Sequence, residues 1–201
     1  MSLTELVSDF ASAMERVDAA APQAVNARSG APFQPGLGPH TEAQTVALVM
    51  DELVRTAPAV YRNHQQGVSY PRMPRQRCDL CLGTPPNWEW AIEIKMIRML
   101  GDNDKPNDNL PTHILSPYPS HRSALTDCEK LMSSDLGQRK AILIYGYDYV
   151  EYPVDALLDA FETLARQRVT LGERVSAHFG GLIHPVHREG SVSAWELGSI
   201  L

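Results

Sequence analysis

The chain has 201 residues, of which 43% are hydrophobic and 21% are charged. This length and composition are typical of one globular domain with a sizeable core. No run approaches the roughly 18 consecutive apolar residues of a membrane span, and we expect no secretory signal at the N-terminus. Three cysteines cannot all pair within the chain, so a disulfide scaffold is excluded and a reducing cytoplasm is expected.

The net charge is −6, but the charge is distributed unevenly along the chain. Residues 1–54 contain 7 acidic and 2 basic residues, residues 55–98 contain 3 and 7, and residues 99–201 contain 14 and 9. The acidic total argues against a protein that simply coats nucleic acid. The basic middle segment is compatible with a local contact to an anion and equally with chance clustering.

The N-terminal segment predicts a helix followed by a linker. Apolar residues at helical spacing predict an amphipathic helix over 3–18. The proline- and glycine-rich residues 21–39 predict a long loop. We therefore divide the chain into an N-terminal helical arm with its linker, residues 1–38, and an α/β domain, residues 39–201.

The next elements are a helix and a hairpin. Thr41 and Gln44 form a capping-box pattern, which predicts a helix that ends near Thr56. Two strand-like runs, 76–82 and 88–98, flank a segment rich in proline and glycine. This arrangement predicts an antiparallel hairpin.

A crossover connection follows the hairpin. A helix over 120–133 leads to an apolar run at 140–147, which is typical of a buried strand. Together with the preceding strand they predict a βαβ unit. A helix over 153–168 and two strands, near 175–185 and 191–197, complete the order. This order predicts an α/β fold with a central mixed β-sheet flanked by helices.

The hairpin brings together two carboxylates and a lysine. Alternation along the second strand places Glu93 and Lys95 on one face. A register in which Leu82 pairs with Trp88 makes Asp79 the diagonal neighbour of Glu93 on that face, about 7–8 Å away at the backbone. Two carboxylates at this spacing can bind one hard divalent cation, and an adjacent lysine can act on the water or phosphate that the cation holds.

These residues resemble the motif of the PD-(D/E)xK nuclease superfamily, which includes many restriction endonucleases. Cys78-Asp79 precedes Glu93-Ile94-Lys95 by a gap of thirteen residues, and Cys78 stands where the family usually has proline. The helix–strand–strand–strand–helix–strand order (αβββαβ) over 41–147 is similar to the restriction-endonuclease-like core. The resemblance covers about half of the chain. It implies a DNA endonuclease of restriction or phage-defence type that uses Mg²⁺ or Mn²⁺ and acts as a homodimer.

The resemblance also implies roles for individual residues. Asp79 and Glu93 would bind the metal, with the backbone carbonyl of Ile94 as a further ligand, and Lys95 would place the attacking water. Some members of the superfamily add a glutamate from the first core helix. Glu42 is the candidate for that role, although a glutamate at a helix start also suits the helix dipole.

Basic residues near the motif are candidate contacts to the DNA backbone. They are Arg72, Arg75, Arg77 and Arg98 in the basic segment, and His121 and Arg122 at the start of the crossover helix. Arginine donates strong charge-assisted hydrogen bonds to phosphate, and a helix N-terminus attracts anions. A plain surface helix start remains the alternative for His121 and Arg122. Lys130, further along this helix, could reach the same face as the motif residues, but we expect it at the surface.

Two other functional interpretations stay open. A non-catalytic nucleic-acid- or protein-binding module on the same fold would use the charged surfaces without cleaving anything. An unrelated α/β enzyme would carry Asp79, Glu93 and Lys95 only as an ion-pair ladder. Plasmid cleavage and metal titration separate these interpretations from the nuclease.

Other potential metal ligands carry weaker signals. Cys78 and Cys81 resemble half of a zinc site but lack the second pair that structural zinc usually needs, so we expect them to be buried as small apolar residues. His178, His184 and His187 lie in the predicted C-terminal hairpin without an obvious acidic partner.

Overall fold

The structure is a computed structural model that describes residues 1–107 and 110–198. The fold is α/β, with a seven-stranded mixed sheet flanked by helices, as predicted. Within the described ranges, none of the helices combines the length and apolar character needed to cross a bilayer. The helices are α1 (Leu3–Ala19), α2 (Glu42–Thr56), α3 (Pro58–Tyr61), α4 (Leu110–Leu115), α5 (Ala124–Met132) and α6 (Val154–Ala165). The strands are β1 (His64–Tyr70), β2 (Met73–Thr84), β3 (Asn87–Ile97), β4 (Arg139–Tyr147), β5 (Thr170–Leu171), β6 (Val175–Phe179) and β7 (Gly190–Gly198).

The strand order in the sheet is β1-β2-β3-β4-β7, and both β5 and β6 pair with β7. Strands β3 and β4 are parallel, whereas the other neighbouring pairs are antiparallel. Parallel neighbours need a crossover connection, and α4 and α5 lie in that connection. The predicted hairpin and βαβ unit are therefore confirmed.

The N-terminal helix is part of the core, which corrects the prediction of an arm over 1–38 separate from a domain over 39–201. Leu6, Phe10 and Met14 on α1 are fully buried in the same core layer as residues of α2 and the sheet. The apolar stripe that predicted the helix therefore packs against this domain. The linker folds back as well, because the Leu37 N–H donates to the buried carboxylate of Asp18 at 2.7 Å.

Helix α2 begins as predicted, whereas the crossover helix begins later. Thr41 caps α2 in a capping box with Gln44. Before α5, Pro119–His121 form a 3₁₀ turn and Arg122 adopts the left-handed conformation, with φ of +48°. Ser123 then caps α5 through its side chain. His121 and Arg122 therefore precede the helix and do not form its N-terminus.

The register of the β2–β3 hairpin also differs from the prediction. Leu82 pairs with Trp90 rather than Trp88, and the register shifts between Leu82 and Gly83. Gly83 has φ of +109°, and a Cβ there would lie 2.8 Å from the backbone nitrogen of Glu89. Only glycine fits this irregularity without strain, so β3 accommodates one extra residue, Glu89, and Leu82 pairs with a residue two positions later in β3 than predicted.

Candidate functional site

Asp79, Glu93 and Lys95 line one cleft of about 900 Å³ beside α5. Side chains alternate between the two faces of β3, which explains why Glu93 and Lys95 both face the cleft. Ile92 and Ile94 are buried in the core layer that contains α1 and α2, whereas Glu93 and Lys95 face the opposite side. The three residues of the suspected motif are thus brought together.

Asp79 lies closer to Glu93 than the predicted diagonal placement. The β2–β3 ladder runs up to the Leu80–Ile92 pair, and the next position along it puts Asp79 level with Glu93. Burial and the charges of Asp79 and Asp127 raise the pKa of Glu93 well above its ordinary value, and a hydrogen bond to Asp79 adds to this effect. Both carboxylates line the same cleft.

Two backbone amides of β3 hold the acidic groups in place. The N–H of Ile94 donates to Asp79 Oδ2 at 2.8 Å, and the N–H of Met96 donates to Glu42 Oε2 at 2.7 Å. Alternate amides of a strand face the same edge, so carboxylates replace the missing strand partner along this edge of β3. The carbonyl of Ile94, the predicted backbone ligand, faces the same edge.

Glu42, the first residue of α2, joins this cluster electrostatically. The pKa of Glu42 is raised to about 7, and burial is the largest cause. The charge of Lys95 lowers this pKa, whereas the charges of Asp79 and Asp127 raise it. The structure therefore places Glu42 near the motif residues, and its role in metal binding stays a prediction.

Three more side chains complete what we call the cleft cluster. Asp127 Oδ2 lies 2.5 Å from Lys95 Nζ, and Asp127 Oδ1 lies 2.7 Å from Lys130 Nζ. Lys130 Nζ is also 2.8 Å from Glu93 Oε1, which accepts a hydrogen bond from the hydroxyl of Tyr70. These contacts link five side chains of the cleft cluster in a continuous series, in the order Lys95, Asp127, Lys130, Glu93 and Tyr70. Asp79 and Glu42 lie beside this series, on the backbone amides of β3.

No sequence pattern assigned Asp127 or Tyr70 to this site, and Lys130, which was expected at the surface, lies in the cleft instead. The side chain of Lys130 is only 16% exposed. Asp127 did carry a signal, because it lies three residues after Ala124 and four before Leu131, on the buried stripe of α5. An acidic residue on an apolar stripe needs a partner, and the two lysines provide it.

The charges of the cleft cluster do not cancel. Its carboxylates are those of Glu42, Asp79, Glu93 and Asp127, and its ammonium groups are those of Lys95 and Lys130. Two negative charges remain when all six groups are ionised. Such an excess is costly in a largely buried site, and the raised pKa values of Glu42 and Glu93 are one response to it. Binding a divalent cation to these hard oxygen ligands is another.

Basic side chains surround the cleft. Arg75, Arg77 and Arg122 line it, which is compatible with their predicted contact to phosphate. Arg72 is largely exposed and forms an ion pair with Asp135 at 2.9 Å.

Arg98 and His121 are oriented differently from the prediction. Arg98 follows β3, donates to the carbonyl of Gly38 and lies 4.0 Å from Asp102. The ring of His121 forms a hydrogen bond of 2.6 Å with Ser116 Oγ. Neither side chain is among the described residues that line the cleft.

A second group of potential ligands consists of Asp102, His184 and His187, whose ligand atoms all lie within 4.8 Å of one another. Both histidines are fully buried in the loop between β6 and β7. Strand β6 ends at Phe179, so His184 lies outside the strand that was predicted near 175–185. Asp102 supplies the acidic partner that the sequence did not reveal. Its Oδ1 lies 3.1 Å from His187 Nε2, and Tyr149 OH lies 2.7 Å from His187 Nδ1.

The geometry of this histidine group favours a hydrogen-bonded anchor over a metal site. His184 Nδ1 accepts from the backbone N–H groups of Val186 and His187, at 3.2 and 3.3 Å, which leaves the proton of the neutral ring on Nε2. The rings of His184 and His187 also stack, with centroids 4.5 Å apart and planes at 19°. Nearly parallel rings do not converge on one ion, and zinc needs unprotonated, converging ligands.

Comparisons of the chain with protein-family models, with curated proteins and with solved structures found no significant match.

Proposed function

We propose that this chain is a metal-dependent nuclease that hydrolyses phosphodiester bonds of DNA. The observation that carries the proposal is the convergence of Asp79, Glu93 and Lys95 in one cleft, as part of a cluster in which four carboxylates face two ammonium groups. Asp79, Glu93 and the Ile94 carbonyl are the oxygen ligands that Mg²⁺ or Mn²⁺ prefers. Glu42 extends the acidic side of the site.

The chemistry divides between the cation and the protein. When bound, a divalent cation activates water and draws charge from phosphate oxygens. Lys95 contributes a fixed positive charge. Burial alone lowers the pKa of Lys95, but the carboxylates of Asp127, Glu42 and Asp79 raise it above the ordinary value. Lys95 therefore orients the water and stabilises the phosphate as an ammonium group rather than accepting a proton.

The arginines that line the cleft support DNA as the substrate. Arg75, Arg77 and Arg122 add positive charge beside an acidic centre, and arginine is well suited to phosphate oxygens. The resemblance to PD-(D/E)xK enzymes further supports a restriction or phage-defence role. It also supports a homodimer, because one such site cuts one strand at a time.

Plasmid nicking tests the proposal directly. We expect the purified chain to relax and linearise plasmid DNA in Mg²⁺ or Mn²⁺, and to lose this activity in EDTA. Asp79→Asn and Lys95→Ala should both abolish nicking while the protein stays folded. Nicking at the wild-type level by either variant would contradict the assignment.

A non-catalytic binding module is the second candidate, and one observation favours it. Lys95 and Lys130 already form ion pairs with Asp127 and Glu93, as a purely structural ladder would. Titration calorimetry with Mn²⁺ separates the two functions. A module of this kind would bind DNA without binding Mn²⁺ and without cleavage.

A further inference from the structure

Asp127 is the one carboxylate of the cleft cluster that contacts both lysines. Its Oδ2 meets Lys95 at 2.5 Å and its Oδ1 meets Lys130 at 2.7 Å. Asp79 and Glu42 behave differently, because each is held through one oxygen by a backbone amide of β3. Within the described residues neither of these two carboxylates forms an ion pair with a lysine, whereas both oxygens of Asp127 are engaged by ammonium groups.

We propose that Asp127 is a positioning residue that fixes the ammonium group of Lys95 for the reaction and holds Lys130 against Glu93. This inference rests on the proposed nuclease function of the cleft. Asp127 does not touch the substrate or the metal in this role. It acts through the two lysines that it binds.

The surroundings of Asp127 suit this role. The side chain of Asp127 is only 6% exposed, and that of Lys95 is 14% exposed. A free lysine side chain has many rotamers, and immobilising it has an entropic cost. Asp127 is itself held rigidly, because its N–H donates to the Ser123 carbonyl at 2.9 Å in the capped first turn of α5. A rigid carboxylate thus orders two flexible cations.

The lysine content of the chain allows a test that does not depend on activity. The chain has four lysines, Lys95, Lys105, Lys130 and Lys140, so acylation by acetic anhydride can be followed at each one by mass spectrometry. Lys105 is exposed and serves as the internal reference. In Asp127→Asn we expect acylation of Lys95 to rise at least about fivefold relative to Lys105, because the amine loses its ionic partner.

Glu129→Gln is the matched control. Glu129 is on the same helix, but it pairs with Arg168 at 2.6 Å, so removing its charge should leave acylation of Lys95 unchanged. Near-ultraviolet circular dichroism confirms that both variants are folded. Equal acylation of Lys95 in wild type and Asp127→Asn would overturn the positioning role.

Kinetics then separate positioning from ligation. Asp127→Asn should lower kcat for plasmid cleavage roughly 10- to 100-fold, as supporting partners of active sites typically do. The KM for DNA and the affinity for Mn²⁺ should stay at the wild-type level. Asp127→Glu should recover part of kcat, because it restores the charge. Loss of Mn²⁺ binding in Asp127→Asn would make Asp127 a metal ligand instead, and an unchanged kcat would make it purely structural.

The two proposals can fail separately. The first possible result is that the wild-type protein does not cleave DNA, while Asp127 still protects Lys95 from acylation. In that case the positioning of Lys95 stands and the nuclease function fails. If wild type cleaves DNA and Asp127→Asn cleaves equally well, the nuclease stands and the positioning role fails.

Discussion

The cleft cluster and the Asp102–His184–His187 group both gather ionisable side chains, but they are built in opposite ways. In the cleft cluster, carboxylates outnumber ammonium groups and the pKa values of Glu42 and Glu93 are raised. In the histidine group, the buried rings stack, and His184 Nδ1 accepts two backbone hydrogen bonds. Residue types that can bind a metal therefore do not define a site. What distinguishes the two regions is the balance of their charges and the hydrogen bonds that already engage their polar atoms.

The two regions also differ in what they hold together. The cleft cluster lies at an edge of β3 where carboxylates take the place of a strand. The histidine group joins the loop after β3, through Asp102, to the loop between β6 and β7. The first arrangement leaves groups free for chemistry, whereas the second stabilises the connection of two loops. Variants in the two regions should therefore have opposite effects on activity and on stability.

The largest contrast is expected in catalysis. Asp79→Asn keeps an oxygen for the Ile94 amide but removes a charged metal ligand, so plasmid nicking in Mg²⁺ should fall at least about 100-fold. Asp102→Asn should nick at close to the wild-type rate, because Asp102 does not line the cleft within the described ranges. Gel assays of initial nicking rates give both numbers. A collapse of activity in Asp102→Asn alone would move the active site to the histidine group.

Stability in the absence of metal should show the reverse order. Asp102→Ala removes the acceptor for His187 and should cost about 1–3 kcal/mol of unfolding free energy. Glu93→Gln should leave stability unchanged or raise it, because it removes one of several crowded carboxylates. Urea unfolding in EDTA measures both. Strong destabilisation by Glu93→Gln would show that the ladder of ion pairs is structural.

Stability should also depend on pH through Glu42. Its folded pKa is raised to about 7 from an ordinary value of 4.5, so the folded state binds the proton more tightly than the unfolded state. The resulting stabilisation is full below pH 4.5 and is lost as the pH rises through 7. Relative to Glu42→Gln, wild type should lose about 1–3 kcal/mol between these pH values in EDTA, after discounting for partial exposure. Parallel pH curves for the two proteins would contradict the burial of this carboxyl group.

Several features of the fold and the site followed from local patterns. The Thr41–Gln44 capping box marked the start of α2, and alternation placed Glu93 and Lys95 on one face of β3. These predictions succeeded because each depends on residues only two to four positions apart, where backbone geometry alone determines direction.

Other features depended on contacts that no local pattern encodes. The shift at Gly83 moved Asp79 level with Glu93, and only the packing of the strands reveals it. His187 and Asp102 are 85 positions apart in sequence, and the pairing of Asp127 with Lys95 arises only where α5 packs on β3. The apolar stripe of α1 predicted a helix, but the stripe alone does not show that α1 packs against α2 and the sheet.

The smallest expected effect is on the salt dependence of DNA binding, and it should distinguish Arg75 beside the cleft from Arg98 near the histidine group. If the proposed DNA contacts are correct, Arg75→Gln should weaken DNA binding and reduce the slope of log affinity against log salt by about 0.9, because one fewer phosphate is neutralised. Arg98→Gln should leave that slope unchanged, since the Arg98 side chain donates to Gly38 and lies beside Asp102. Fluorescence anisotropy of a labelled duplex across a salt series, in Ca²⁺ to suppress cleavage, measures the slopes. Equal slopes for wild type and Arg75→Gln would remove Arg75 from the DNA interface, whereas a change in Arg98→Gln alone would place the interface near the histidine group.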